Sequence, residues 1–320
     1  MASFVTRTTL LLSAIACSTP TMTAAFCPTF HASKTTTGLG MTASSSSTDS
    51  VEVVHPTAVI PNPPPTKTAK GVIFDIDGTL ADSWKLGYDA TVVVLQNNNL
   101  GHVEINEDIY HATCVYPTPE RLARTAGLTP ETDKDTFESL GETLAQQFDD
   151  FYVQLVSAET AGFYDGIMDL LQNFPEETKV GALTNACVAY GHAVLEANCP
   201  VKSSSSSSSS SSSKGDDDSQ KERYALYDRF GTIHGADSVP AAKPSPEGLF
   251  QCAQDLGLKP SECIYVGDAI GDGKAARAAG MVSIGVLWGS NSEEKLRNAN
   301  VFDYICSTRE ELRELLPQQP

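Results

Sequence analysis

From residue 71 onward the chain alternates between two rhythms of hydrophobic and polar positions. One is a set of short apolar runs bounded by glycine or polar residues, at 71–74, 180–183, 231–234, 263–266 and 283–287. Runs this short predict strands buried on both faces, as in a parallel sheet. The second rhythm is helical. It is clearest where Phe137, Leu140, Leu144, Phe148, Phe151 and Leu155 recur at steps of three and four and mark one apolar helix face. Strands alternating with helices predict an α/β fold with a doubly wound parallel sheet.

Outside these rhythms the chain is of a different kind. Residues 49–69 form a Pro-rich linker, including Asn62-Pro63-Pro64-Pro65, that is unfit for a core. An unbroken serine run, 203–213, leads into Lys214-Gly215-Asp216-Asp217-Asp218. The stretch 203–218 reads as a disordered surface insertion, since loop closure entropy grows only logarithmically with length. No Asp or Glu precedes Asp49, and Arg7 and Lys34 are the only Lys or Arg residues before it. Residues 1–25 have the layout of a signal peptide: an apolar stretch from Leu10 to Cys17, too short to span a bilayer, and then a small-residue site at Thr23-Ala24-Ala25. Residues 26–48 have the Ser/Thr-rich, acid-free composition of a transit peptide. A signal peptide followed by Phe26 and such a tail resembles the bipartite presequence of algae with secondary plastids. That resemblance implies a plastid stroma; the alternative is ordinary secretion.

Charge and cysteines narrow the function. A net charge of −18 argues against a nucleic-acid binder. Beyond the presequence the cysteines at 114, 187, 199, 252, 263 and 306 show no CxxC or metal-type spacing, and His102, His111, His192 and His234 show no ligand spacing. The informative string is Phe74-Asp75-Ile76-Asp77-Gly78-Thr79-Leu80, at the end of the first apolar run. Side chains two apart on a strand share a face, so Asp75 and Asp77 would point together into the crevice at the carboxyl edge of an α/β sheet. Two like charges so close call for a cation or a proton between them. That suits a divalent metal together with a nucleophile and an acid/base partner.

Three further segments follow in order. They are Ala182-Leu183-Thr184-Asn185, Lys243-Pro244-Ser245-Pro246-Glu247, and Tyr265-Val266-Gly267-Asp268-Ala269-Ile270-Gly271-Asp272. Together with the first string they resemble the four motifs of the haloacid dehalogenase-like superfamily, over roughly residues 68–308, and most closely its phosphoglycolate phosphatase-like members. Gly271-Asp272-Gly273 lacks the third glycine of a dinucleotide fingerprint. The resemblance implies a Rossmann-like core from 70–81 and 163–320, and an inserted α-helical cap over 82–162 with hinges near 81–83 and 161–166. It further implies a Mg²⁺-dependent phosphomonoesterase. Asp75 would be the nucleophile and form an aspartyl-phosphate. Asp77 would be the general acid/base, its backbone carbonyl also reaching the metal. Thr184 and Lys243 would hold the phosphoryl group, with backbone amides near Gly78 and Asn185. Asp75, Asp77, Asp268 and Asp272 would make up the metal site, Asp272 directly or by positioning Lys243.

The motifs also discriminate within the superfamily. Dehalogenases and phosphonatases lack the second aspartate, and sugar-phosphate mutases carry a cap histidine where Gly87 stands here. A catalytically inactive binding module would be expected to lose an aspartate, and all are present. The partner expected is therefore a small phosphate ester, with no nucleic acid and no membrane in the mature form. The best candidate is 2-phosphoglycolate; nucleotides, flavin precursors and sugar phosphates are alternatives. In the cap, Arg121 and Arg124 follow a Thr-Pro helix start and lie three apart on one face, so they are candidate readers of a substrate carboxylate, the alternative being a solvated charged face.

Overall fold

The computed structural model describes residues 66–131, 133–199 and 226–319. The signal peptide, the transit-like segment, nearly all of the Pro-rich linker and the serine insertion lie outside these residues. Among the described residues no helix is long and apolar enough to cross a membrane.

The core is a six-stranded sheet in the order β5-β4-β1-β6-β7-β8. Its strands are β1 (Gly71–Phe74), β4 (Lys179–Leu183), β5 (Phe230–His234), β6 (Cys263–Gly267), β7 (Val282–Val286) and β8 (Tyr304–Cys306). Every pairing is parallel. The five predicted runs coincide with β1 and β4–β7 to within a residue at each end. The edge strand β8 was not among them, because its three residues, two of them only partly buried, make a run too short to signal.

Period two explains how the sheet is covered. Val72, Phe74, Ile264 and Val266 point to one face, where they meet Leu170, Phe174 and Val194. Ile73 and Tyr265 point to the other, against Leu249, Cys252, Ala275 and Ala276. These residues are almost wholly removed from water. Burying each large apolar side chain contributes roughly 1.5–3 kcal/mol, which is why the strands need no polar face.

The chain leaves the core after β1 through β2 (Ala81–Asp82) and returns through β3 (Gly162–Phe163); the two pair antiparallel, Ala81 with Phe163 and Asp82 with Gly162. Between them lie four helices: α1 (Trp84–Asn97), α2 (Glu107–Thr113), α3 (Thr118–Thr125) and α4 (Lys134–Gln154). Asp133 caps α4 by accepting the Thr136 N–H, and Asn106 caps α2 by accepting that of Ile109. The buried stripe of α4 is Phe137, Gly141, Leu144, Ala145, Phe148 and Tyr152. It begins as the sequence pattern predicts, but turns away from Phe151 and Leu155 toward Tyr152. Apolar counting passes over Tyr152 because its ring carries a polar tip. The glycine in the stripe is steric: a Cβ at Gly141 would lie 2.7 Å from the Pro119 carbonyl oxygen on α3.

The remaining helices flank the sheet: α5 (Ile167–Gln172), α6 (Val188–Asn198), α7 (Glu247–Asp255), α8 (Ile270–Ala279), α9 (Glu293–Ala299) and α10 (Arg309–Leu315). In this topology β1 lies between strands wound outward in opposite directions. A crevice therefore opens beyond the carboxyl ends of β4, β1 and β6, the usual ligand position in such sheets.

Candidate active site

Register brings the motifs together. Phe74 lies level with Ala182 on β4 and Val266 on β6, so Asp75, Thr184 and Asp268 all emerge at one edge of the sheet. The Asp75 N–H still donates to the Val266 carbonyl at 2.9 Å, which fixes its backbone. The chain then turns sharply at Gly78, whose φ of +75° suits glycine. A Cβ there would stand 2.5 Å from Asp268 Oδ2, so the turn also allows the first loop to approach Asp268 closely.

On the floor of the crevice the carboxylates of Asp75, Asp268 and Asp272 lie within 4.8 Å of one another, all buried. Lys243 Nζ is 2.7 Å from Asp75 Oδ1 and 2.8 Å from Asp272 Oδ1. It also donates to the Tyr265 hydroxyl at 2.8 Å and the Leu183 carbonyl at 3.1 Å. Asp272 accepts from the Tyr265 hydroxyl and, through Oδ2, from the Ala269 N–H, so both its oxygens are engaged. Asp268 Oδ2 accepts the Ser290 N–H at 2.9 Å.

Burial, opposed by Lys243 and reinforced by the other carboxylates, holds Asp75 well above the usual carboxylate range. Burial and then the Asp272 charge push Asp268 up to about 7. Burial pulls the Lys243 ammonium down, but Asp272 and Asp75 outweigh it and leave the group raised. Three buried carboxylates thus share one ammonium among the described residues. The shortfall in positive charge and the all-oxygen donor set fit a divalent magnesium ion. Asp75 and Asp268 would hold it. Asp272, with both oxygens engaged, would act through Lys243.

Asp77 stands apart from this cluster. Its Oδ1 accepts from the hydroxyls of Ser83 at 2.5 Å, Tyr190 at 2.6 Å and Tyr152 at 3.0 Å. Its Oδ2 accepts from Thr184 Oγ1 at 3.0 Å. The Tyr152 and Tyr190 rings stack at 4.0 Å with an interplanar angle of 9°. Burial, and then the Asp77 charge, keep both phenols well above their usual range, so they stand as hydroxyl donors. Asn185 ties the second motif to the third. Its Nδ2 donates to the Lys243 carbonyl and its Oδ1 accepts the Lys243 N–H, both at 3.0 Å.

Above the sheet edge is a cavity of about 520 Å³, reached by Asp75, Asp77, Gly78, Thr184, Asn185, Lys243, Asp268 and Asp272 from the core. Trp84, Tyr110, Tyr116, Arg121 and Phe148 close it from the helical insertion. The two arginines part company here. Arg121 is buried and lines the cavity; its NH1 donates to Thr91 Oγ1 at 2.9 Å, and its guanidinium lies 4.5 Å from the Phe148 ring centroid. No carboxylate pairs with it among the described residues. Arg124 does not line the cavity: it is paired with Glu120 and lies over Tyr116.

This geometry meets a clear family match. The sequence model of haloacid dehalogenase-like hydrolases covers residues 69–280. The chain belongs to the haloacid dehalogenase-like hydrolase family. Among curated relatives, the phosphoglycolate phosphatase of Shigella boydii serotype 4 (strain Sb227) is 25% identical over 240 residues, 71% of this chain and 84% of that enzyme. The phosphoglycolate phosphatase of Xylella fastidiosa (strain 9a5c) is 44% identical over 66 residues, 21% of this chain and 29% of that enzyme. Among solved structures, a haloacid dehalogenase-like family hydrolase of Streptococcus pneumoniae superposes with a TM-score of 0.57 at 20% identity, covering 77% of this chain and 97% of that one. CbbY of Rhodobacter sphaeroides, solved in complex with phosphate, superposes with a TM-score of 0.56 at 18% identity, over 76% and 96% of the two chains. At these identities the structures speak for the fold.

The family motifs do not announce Ser83, Tyr152, Tyr190, Tyr265 or Ser290. Tyr265 could have been noticed as a polar-tipped side chain within a buried strand, since such hydroxyls find partners. The Tyr152–Tyr190 pair joins helices from the insertion and the core, and gives no local signal.

Proposed function

We propose that this hydrolase is a Mg²⁺-dependent phosphomonoesterase working through an aspartyl-phosphate, with 2-phosphoglycolate as its preferred substrate. The observation that carries the reading is the contrast between its two neighbouring aspartates: Asp75 lies in the ion cluster, and Asp77 is ringed by hydroxyls on the cavity side. An Asp75 oxygen attacks phosphorus as the bond from phosphorus to the ester oxygen breaks. Asp77 gives that oxygen its proton, then takes one from the water that cleaves the aspartyl-phosphate and restores Asp75. Lys243, Thr184 and the amides near Gly78 and Asn185 hold the phosphoryl oxygens as charge shifts among them. Bound magnesium would supply fixed positive charge beside the phosphoryl group.

A phosphatase rather than a mutase is supported at Gly87. A Cβ at this position would collide with the Tyr110 hydroxyl, so a mutase-type histidine on α1 would have to displace the Tyr110 ring. The carboxylate of 2-phosphoglycolate is assigned to Arg121, the buried guanidinium that has no acidic partner among the described residues, rather than to Arg124. The names of the relatives support the same substrate. A cavity of about 520 Å³ has room for a larger ester as well, which keeps nucleotides, flavin precursors and sugar phosphates as a second reading. The test is kcat/KM over a panel of metabolite phosphates. A tenfold preference for another ester, about 1.4 kcal/mol of transition-state binding, overturns the substrate but not the phosphatase. Arg121→Ala should raise KM for 2-phosphoglycolate while sparing 4-nitrophenyl phosphate, which has no carboxylate. Arg124→Ala should do neither.

We further propose that residues 1–48 deliver the enzyme to a plastid stroma, on the strength of their acid-free composition and Phe26. A fluorescent fusion of this segment should enter the plastid of an alga with secondary plastids, and Phe26→Ala should stall it outside. Secretion of the unaltered fusion would refute the address.

A further inference from the structure

Asp77 receives more donors on one oxygen than it needs. Among the described residues Ser83, Tyr190 and Tyr152 all converge on Oδ1, whereas Oδ2 meets only Thr184. A carboxylate oxygen offers two lone pairs, so three hydroxyls saturate Oδ1 and pin it. The Thr184 hydroxyl also accepts the Ala186 N–H, and in the proposed reaction it turns to a phosphoryl oxygen. Oδ2 is then the oxygen left facing the ester.

We propose that Tyr152 and Tyr190 are positioning residues for Asp77, anchoring Oδ1 so that Oδ2 is the atom that passes the proton to the leaving oxygen. The inference rests on Asp77 being the acid/base. Rigidity comes from the stacked rings. Tyr190 is wholly buried on α6, and Tyr152 lies flat against it, its hydroxyl 3.0 Å from both Tyr190 OH and Asp77 Oδ1. Phe148 packs one turn back, 4.7 Å from the Tyr152 ring, with the Arg121 guanidinium on its other contact. The face of the insertion that lines the cavity is thus joined by rings to the hydroxyl that holds the acid. In the transfer itself, Oδ2–H breaks as the proton joins the ester oxygen. The bond from that oxygen to phosphorus breaks with it, and the negative charge stays on Asp77.

Leaving-group dependence tests this, because a general defect in folding or binding lowers all substrates alike. Tyr152→Phe, Tyr190→Phe and Asp77→Asn are compared with wild type on 4-nitrophenyl phosphate, whose leaving group needs no proton. The second substrate is the alkyl phosphate that wild type hydrolyses fastest in a panel headed by 2-phosphoglycolate. The tyrosine changes remove a hydroxyl and keep the ring, so the stack is retained. A positioned general acid contributes ~10²–10⁴-fold, and each tyrosine variant should lose about tenfold or more in kcat/KM on the alkyl ester but no more than about threefold on the aryl ester. Asp77→Asn should show the same bias more strongly. Equal losses on both esters, or no loss on either, in the tyrosine variants with Asp77→Asn still biased overturn the positioning role alone. If Asp77→Asn shows no bias, or wild type hydrolyses no alkyl phosphate, the acid/base reading falls and this inference with it.

Discussion

The floor and the wall of the crevice make use of the same residue in opposite ways. On the floor, Asp75 sits with Asp268 and Asp272 around the Lys243 ammonium, and its neighbours are full charges. On the wall, Asp77 is two positions along the chain, and its side-chain donors are all neutral hydroxyls. A carboxylate that must attack phosphorus is served by cations, which steady it and the incoming phosphoryl oxygens together. A carboxylate that must trade a proton is served by donors that fix its direction without carrying charge. The difference teaches that, in the proposed mechanism, chemical role follows from surroundings supplied by distant elements, since strand position alone would make the two aspartates equivalents.

The largest effect should come from removing the nucleophile. Asp75→Asn keeps the volume and should leave less than about a hundredth of wild-type turnover, because no neighbour can replace a covalent step. Asp77→Asn should cost ~10²–10⁴-fold on alkyl esters. If Asp77→Asn were the worse of the two on an aryl phosphate, the assignment of floor and wall would be reversed.

Next in size is a stability effect confined to the floor. Lys243→Met removes the ammonium and leaves buried carboxylates uncompensated, which should destabilise the protein by roughly 3–5 kcal/mol in a denaturant titration. Adding Asp75→Asn should recover part of that loss, a non-additivity expected of groups in contact within one network. Strict additivity would mean that the Lys243–Asp75 pair at 2.7 Å contributes no coupling.

Magnesium should distinguish the two regions more gently. At a concentration a hundredfold above its dissociation constant, a bound ion stabilises by about 2.7 kcal/mol. A rise in melting temperature on adding Mg²⁺, abolished by EDTA and by Asp268→Asn but retained in Tyr152→Phe, would place the ion on the floor. A rise that survives Asp268→Asn would move it elsewhere.

The smallest effect belongs to the serine insertion, which has no part in the proposed mechanism. Replacing residues 203–218 with a short Gly/Ser loop should change kcat/KM by less than about twofold, since the closure entropy of a flexible loop varies slowly with length. A collapse of turnover or folding would show that the insertion gates or supports the site.

Much of the floor could be read from the chain. Asp75, Lys243, Asp268 and Asp272 sit in local strings whose order and residue types are specific, and strand runs around them betray the sheet edge. The wall was legible only in Asp77 and Thr184. Tyr152 reaches Asp77 across 75 residues and Tyr190 across 113, and each contact depends on which way a helix turns within its packing. Near Tyr152 the apolar period suggested Phe151 and Leu155 in the buried stripe; Phe151 is only partly buried and Leu155 is 38% exposed. The arginines show the same limit. A spacing of three gives Arg121 and Arg124 one helix face, but burial against Phe148 and pairing with Glu120 send their charges to different places. Short edge elements such as β8 carry too few apolar residues to signal at all.

The Asn185 side chain has a consequence for how this protein can change over time. Its amide completes both hydrogen bonds of the Lys243 backbone, as a neighbouring strand would, across 58 positions of sequence. Together with the Lys243 ammonium, which donates to the Leu183 carbonyl, it ties the loop bearing Thr184 to the loop bearing the lysine. Lengthening or shortening the path between them should leave the spacing of Thr184 and Lys243 unchanged. A change of the asparagine should loosen the lysine loop, whose backbone would lose both of those hydrogen bonds.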